Sequence, residues 1–253
     1  MRKLVLTTAA VAAAIAGAVA GEPSFGTLTD KRDGQTYRTV KIGQQTWMAQ
    51  NLNYLPKTGN HWCYDNRADN CAKYGRLYDW VTAMRIETHY NRSEYRNGNV
   101  QHQGICPKDW HIPALWEWDI LAKTAGNVRV AGNVKWVGEY GGIRWFGACS
   151  VLKAKSGWDK DFVNSTDDLG FSALPGGQRN DPRYPDVIFR GIGVYGSWWM
   201  TTEDYPDEMF KERDGYSAKH LNINSCYNDN DDVYCGGEDK ESGLSVRCVA
   251  DNP

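Results

Sequence analysis

The sequence predicts an α+β fold, and three observations predict it. Two stretches carry apolar residues at helical spacing: Leu77, Trp80, Val81 and Met84, and later Trp118, Leu121, Ala122 and Ala125. Short β-prone runs lie towards both ends of the chain, from Thr36 to Met48 and from Leu244 to Val249. Between them, residues 127–195 are broken by Gly141-Gly142, Gly147, Gly157, Gly170, Gly176-Gly177, Gly191 and Gly193, the texture of a loop-rich β region. Cys106 stands just before the second helix and Cys248 lies in the last strand-like run. A bridge between them would staple the frame and leave the glycine-rich middle as looped surface.

The elements follow in order. Residues 1–20 read as a secretion signal: Arg2 and Lys3, an apolar run from Leu4 to Val19, and a small-residue cleavage triplet, Ala18-Val19-Ala20. Residues 21–36 form a short polar lead-in, and residues 37–253 a single domain without repeats or linkers. Tyr37, Val40, Ile42, Trp47 and Met48 supply a β-hairpin turning at Gly43-Gln44. Cys63 and Cys71 flank a turn-forming segment and suit a local bridge contributing about 2–3 kcal/mol. After the first helix, polar residues 87–103 connect to Cys106. Pro113 opens the second helix, where its fixed φ and missing N–H cost nothing, and Gly126-Asn127 stops it. Gly196 to Thr202 and His220 to Ile223 are buried-strand candidates, and Leu244 to Val249 closes the sheet.

Charge and cysteines bound the function. Without Arg2 and Lys3, 27 basic residues face 31 acidic ones, a net charge of −4. Mild acidity gives no electrostatic case for nucleic acid or an anionic membrane. No apolar run after the signal is long enough to span a bilayer. Seven cysteines in an exported chain point to disulfides before metal ligands, and no CxxC pair argues for zinc. The pairs expected are Cys63–Cys71, Cys106–Cys248 and Cys226–Cys235, with Cys149 left over.

Two binding chemistries suit particular residues. Calcium takes oxygen ligands, and the loop from Cys226 to Cys235 offers Asp229, Asp231 and Asp232. Its acid pattern breaks at Val233, so it is not an EF-hand loop. Flat rings can stack on sugars, and Trp136, Tyr140, Trp145, Trp158, Tyr184, Tyr195 and Tyr205 sit in the glycine-rich half. For catalysis the signals are thin. Gly170-Phe171-Ser172-Ala173-Leu174 lacks the second glycine of a nucleophile elbow, and His61, His89, His102, His111 and His220 are dispersed.

Five ordered blocks carry a family likeness. Thr39 to Gly43 with Trp47 to Tyr54 resembles the opening of the Fibrobacter succinogenes major paralogous domain. The resemblance continues in Tyr74 to Trp80, in Cys106-Pro107 through Trp110-His111-Ile112-Pro113 and Glu117-Trp118, in Gly170 to Gly177, and in Ser245 to Val249. That family is similar, more distantly, to the C-type lectin fold of formylglycine-generating enzymes. The resemblance implies two helices flanking a small twisted antiparallel sheet, with adjacent termini and a long glycine-rich loop region. It also supports the Cys106–Cys248 bridge, worth about 4–5 kcal/mol for so long a loop. The family places Ser or Thr after the proline, whereas Ala114 here forfeits a helix-capping bond of about 1 kcal/mol.

The function expected is that of an exported, non-catalytic surface or secreted module presenting loops to a polysaccharide or a protein, without a cofactor unless calcium binds. A structural cell-surface component and a formylglycine-type catalyst are the alternatives.

Overall fold

Hydrophobic alternation starts the fold. In Thr36–Ile42, Tyr37, Val40 and Ile42 are buried while Thr36, Arg38 and Lys41 face out. A strand with one wet face needs partners for its edges and a cover for its apolar side. The computed structural model describes residues 23–96, 100–127, 134–137, 142–162, 164–204, 216–224 and 231–251. The signal sequence expected at 1–20 lies outside them.

Along the chain come β1 (Ser24–Thr29), β2 (Thr36–Ile42), β3 (Gln45–Met48), β4 (His61–Trp62), α1 (Ala68–Tyr74), β5 (Leu77–Tyr78), α2 (Trp80–Met84), β6 (Trp110–His111) and α3 (Leu115–Asn127). There follow β7 (Val134–Val137), β8 (Gly142–Phe146), α4 (Cys149–Leu152), β9 (Gly176–Arg179), β10 (Phe189–Ile192), β11 (Gly196–Asp204), β12 (Ser217–Ile223), β13 (Asp232–Asp239), β14 (Leu244–Ser245) and β15 (Val249–Ala250). One sheet has five strands in the order β1-β2-β3-β15-β6. The other has ten, running β4-β5-β14-β11-β12-β13-β8-β7 with β9 on β11 and β10 on β9.

The expected architecture of two helices flanking a small sheet is therefore wrong: the protein is mostly β. The glycine-rich middle read as loops contributes β8, which pairs with the distant β13, and the β9–β10 hairpin, which joins the sheet through β11. Strands of four or five residues carry too few alternations to show a period. The lead-in at 21–36 likewise holds β1, paired antiparallel with β2. The first expected helix shrinks to α2, because Leu77-Tyr78 pairs with β4 and β14 and Asp79 caps the helix by accepting the Thr82 N–H at 2.9 Å.

Other expectations hold. The hairpin turns at Gly43-Gln44, with Val40 opposite Trp47. Two of the three expected bridges form, Cys63–Cys71 and Cys106–Cys248, while the third, Cys226–Cys235, does not, because Cys235 is a free thiol. Helix α3 starts at Leu115, so Pro113, expected in its first turn, lies outside it, and the donors at its start find other partners. The Ala114 N–H donates to Glu117 Oε2 at 2.9 Å, and the Leu115 N–H to Thr202 Oγ1 of β11 at 3.2 Å. The cap absent from residue 114 is thus replaced by Glu117 of the helix itself and Thr202 of the neighbouring sheet.

Strand β11 is buried on both faces, and two apolar clusters meet across it. Trp198 joins Val40, Trp47, Trp118 and Phe171 on one side; Trp199 joins Tyr78, Trp80, Ile112 and Val246 on the other. The two β11 indoles find acceptors: Trp198 Nε1 donates to Asn51 Oδ1 at 2.8 Å and Trp199 Nε1 to the Tyr78 carbonyl at 2.7 Å.

The terminal run expected as one strand, Leu244 to Val249, is two. β14 lies in the ten-stranded sheet and β15 in the five-stranded one, with Val246-Arg247-Cys248 as the joint. Arg247 is fully buried. Its guanidinium donates to Asn51 Oδ1 from Nε at 3.0 Å and from Nη2 at 2.7 Å, and to the Phe171 carbonyl from Nη1. Burial pulls its pKa down to about 9. Asn51→Leu strips this cation of its main acceptor, and breaking a buried charged network by one partner costs about 3–5 kcal/mol. The expected outcome is a large drop in denaturation midpoint by urea titration, far beyond that of Gln50→Leu on the exposed side of the same segment.

A second clamp holds α3 and the C-terminal end together. His111 Nε2 contacts Glu117 Oε1 at 2.7 Å, and Nδ1 contacts Asp251 Oδ1 at 2.7 Å. Burial alone would lower the histidine pKa, but hydrogen bonds and charge from Glu117, then Asp251, raise it above its ordinary value. A raised histidine adds stability that is complete below the unfolded-state value, 6.5, and fades as pH rises through the folded one. The stability difference between the native protein and His111→Asn should therefore be largest just below pH 6.5 and shrink on alkalinisation, as read by melting temperature across a pH series.

Candidate functional site

The expected site residues scatter. Trp145 and Trp158 are core residues, 1% and 6% exposed. Tyr195 is half-buried, with a hydroxyl that is itself buried. Tyr140, Tyr205, Cys226, Asp229 and the side chain of Trp136 lie outside the described residues. Tyr184 alone among the described rings of that set is open, at 66%. Of the other described rings, Trp145 and Trp158 are packed in the core and Tyr195 is half-buried, the ordinary fate of aromatics in a loop-rich fold.

The calcium expectation also changes. Asp231 receives the Ser150 N–H and faces Ser150 Oγ at 2.6 Å, while Asp232 pairs with Arg144 at 2.6 Å. Two of the three expected oxygen donors are thus committed to different protein groups. The cysteine roles exchange as well. Cys149 is disulfide-bonded, and Cys235 is the buried free thiol. The reason is that β13 extends from Asp232 to Asp239, so Cys235 sits inside the sheet opposite Leu221 and Ile143 rather than ending a loop.

What the structure builds around Tyr184 is a stiff hairpin loop between β9 and β10. The local sequence, Asn180-Asp181-Pro182-Arg183-Tyr184-Pro185-Asp186, is rich in turn formers. Asn180 closes its neck, donating its N–H to the Ile188 carbonyl at 2.8 Å and Nδ2 to the Val187 carbonyl at 2.6 Å. Asp181, 3% exposed, accepts the Arg183 N–H at 2.7 Å and pairs with its guanidinium. Arg183 also pairs with Asp239 at the end of β13. The tip is thereby tied to the ten-stranded sheet.

The electrostatics follow from that clamp. Burial opposes ionisation of Asp181, yet hydrogen bonds and charge from Arg183 hold its pKa below the ordinary carboxylate value. Burial dominates at Asp239, whose pKa rises to about 6 although the Glu241 N–H favours its charged form. Asp181, Asp239 and Glu241 bring carboxylate oxygens within 4.8 Å of one another. The Arg183 guanidinium already serves Asp181 and Asp239 as the cation between them.

On this support Tyr184, Val187 and Ile188 stand 66%, 50% and 53% exposed, three large apolar side chains within five residues. Beside them lies a cleft of about 700 Å³, lined by Asp181, Arg183, Tyr184, Val187, Arg190 and Asp239. Sequence reasoning found Tyr184 but missed Val187 and Ile188. The signal was present: aliphatic residues set among turn formers have no core-facing period.

No curated protein matches the chain, and no solved structure does. The family model of the Fibrobacter succinogenes major domain matches residues 40–250, nearly all of the described fold. The chain belongs to the Fibrobacter succinogenes major domain family.

Proposed function

We propose that the protein is an exported, non-catalytic binding module that holds a polysaccharide against the Tyr184 hairpin. The observation that carries this reading is the stiffened tip: exposed Tyr184, Val187 and Ile188 on a loop clamped by Arg183. Apolar groups are held in water at a cost unless a partner covers them, and functional residues concentrate on loops that a rigid scaffold positions. An aromatic ring gives a flat face for a sugar, while the carboxylates and arginines along the cleft offer partners for hydroxyls.

Export is supported by the basic, apolar and small-residue pattern of residues 1–20, and by bridged Cys63–Cys71 and Cys106–Cys248, which persist in oxidising compartments. No helix among the described residues is long and apolar enough to cross a membrane. The absence of catalysis is supported by Cys235, whose thiol burial pushes up to about 12 and so away from nucleophilic chemistry. His111 is engaged in holding α3 to Asp251.

The test is a pull-down of the mature protein with insoluble polysaccharides, followed by titration with soluble fragments of those that retain it. Tyr184→Ala should weaken binding about tenfold or more, as loss of an anchoring ring does, and leave the melting temperature unchanged because the ring is exposed. Retention that ignores Tyr184→Ala, or no retention on any polysaccharide, would overturn the reading.

A further inference from the structure

A second concavity, of about 530 Å³, shares no lining residue with the Tyr184 cleft. Three parts of the chain enclose it: the segments of Gln35–Arg38 and Ala49–Asn53, the end of α1 with Gly75, and the loops carrying Ala154–Ser156 and Asp167–Leu174. Its size lies within the roughly 300–1,000 Å³ of clefts that hold small organic ligands. Its chemistry is unlike that of the other cleft. Arg38, Lys73 and Lys155 line it, and all three side chains are exposed. Among the described residues, no carboxylate lies within ion-pair distance of any of them. On a chain whose net charge is negative, three cations without ion-pair partners around one cavity are a local excess.

The only acid in the lining is already engaged. Asp167 accepts the Ser172 N–H at Oδ1 and the Ser172 hydroxyl at Oδ2, both at 2.7 Å. Both residues hold left-handed backbone angles, φ 52° at Asp167 and 55° at Ser172. Such angles in residues other than glycine cost energy and persist where the surroundings over-determine them, often at functional sites. Here Arg247 does so from behind, donating to the Phe171 carbonyl and lying close to the Ser172 carbonyl. The wall is thus rigid, and three exposed cationic residues line the space beside it.

We propose that this cavity binds an acidic saccharide, a uronate-bearing unit. Arg38, Lys73 and Lys155 take the carboxylate, and Gln50 and Ser156 take ring hydroxyls. The choice of a sugar acid over a bare inorganic anion rests on size and lining. A phosphate would occupy a small part of 530 Å³, leaving the amide and hydroxyl groups of the wall facing water. A sugar acid is larger than phosphate and carries ring hydroxyls that can partner those groups. A guanidinium with ammonium groups suits the charge-assisted bonds a carboxylate makes.

The experiment is calorimetric titration of the mature protein with an oligogalacturonate, with the neutral galactose oligomer of equal length, and with sodium phosphate and sodium acetate. The uronate oligomer should bind, and the neutral oligomer about tenfold more weakly or not at all. Added salt should lower the uronate affinity. Arg38→Gln and Lys155→Gln each remove an exposed cation without touching the core, and each should weaken uronate binding about tenfold. Tyr184→Ala should leave this affinity unchanged, which separates the result from the fate of the hairpin reading. Equal affinity for acidic and neutral oligomers, phosphate binding as tight as uronate binding, uronate binding indifferent to Arg38→Gln and Lys155→Gln, or no uronate binding would each overturn the proposal.

Discussion

The fold depends on one buried polar node, the Asn51 side chain with Arg247. Asn51 Oδ1 collects donors from Arg247 and Trp198, and Asn51 Nδ2 donates to the Tyr74 carbonyl at 2.8 Å. Four separate stretches therefore converge on one amide: the segment after β3, the end of α1, β11 and the β14–β15 joint. A guanidinium fully out of water is tolerated only when its donors are served. That requirement specifies the geometry of everything around it. Cys248, the next residue, is bonded to Cys106, so the covalent staple and the polar node lock the same joint from two sides.

This joint explains how two sheets form one body. The last strand-like run splits, pairing β14 with β5 and β11 in one sheet and β15 with β3 and β6 in the other. The faces of β11 receive an apolar cluster each, so Trp198 and Trp199 are both lost to view. Helix α3 then lies against the first cluster through Trp118, Leu121 and Ala122. Its first turn is held by its own Glu117, which His111 supports, and by Thr202 of β11.

The two concavities are consequences of this frame. The Tyr184 hairpin gains its stiffness from Asp239, which belongs to β13 and not to the loop. The cationic cavity takes its back wall from residues 171–172, which Arg247 holds. In both places an exposed loop is positioned by a charged contact to a part of the chain distant in sequence, so stability and ligand contact are coupled through few residues.

Sequence by itself determined the elements whose side chains repeat long enough to show a period. These are the β2–β3 hairpin turning at Gly43-Gln44, helix α3, and strands β11 and β12, together with two of the disulfide pairs and the family. Only tertiary structure decided the rest. Two-residue strands such as β5 and β14 have no period, and exist because a partner strand meets their backbone. Whether Cys149 or Cys235 stays reduced depended on how far β13 ran, not on spacing in the chain. Which of the candidate rings among the described residues faced water was settled by what packed above each one, because an aromatic has the same letter in a core and on a surface.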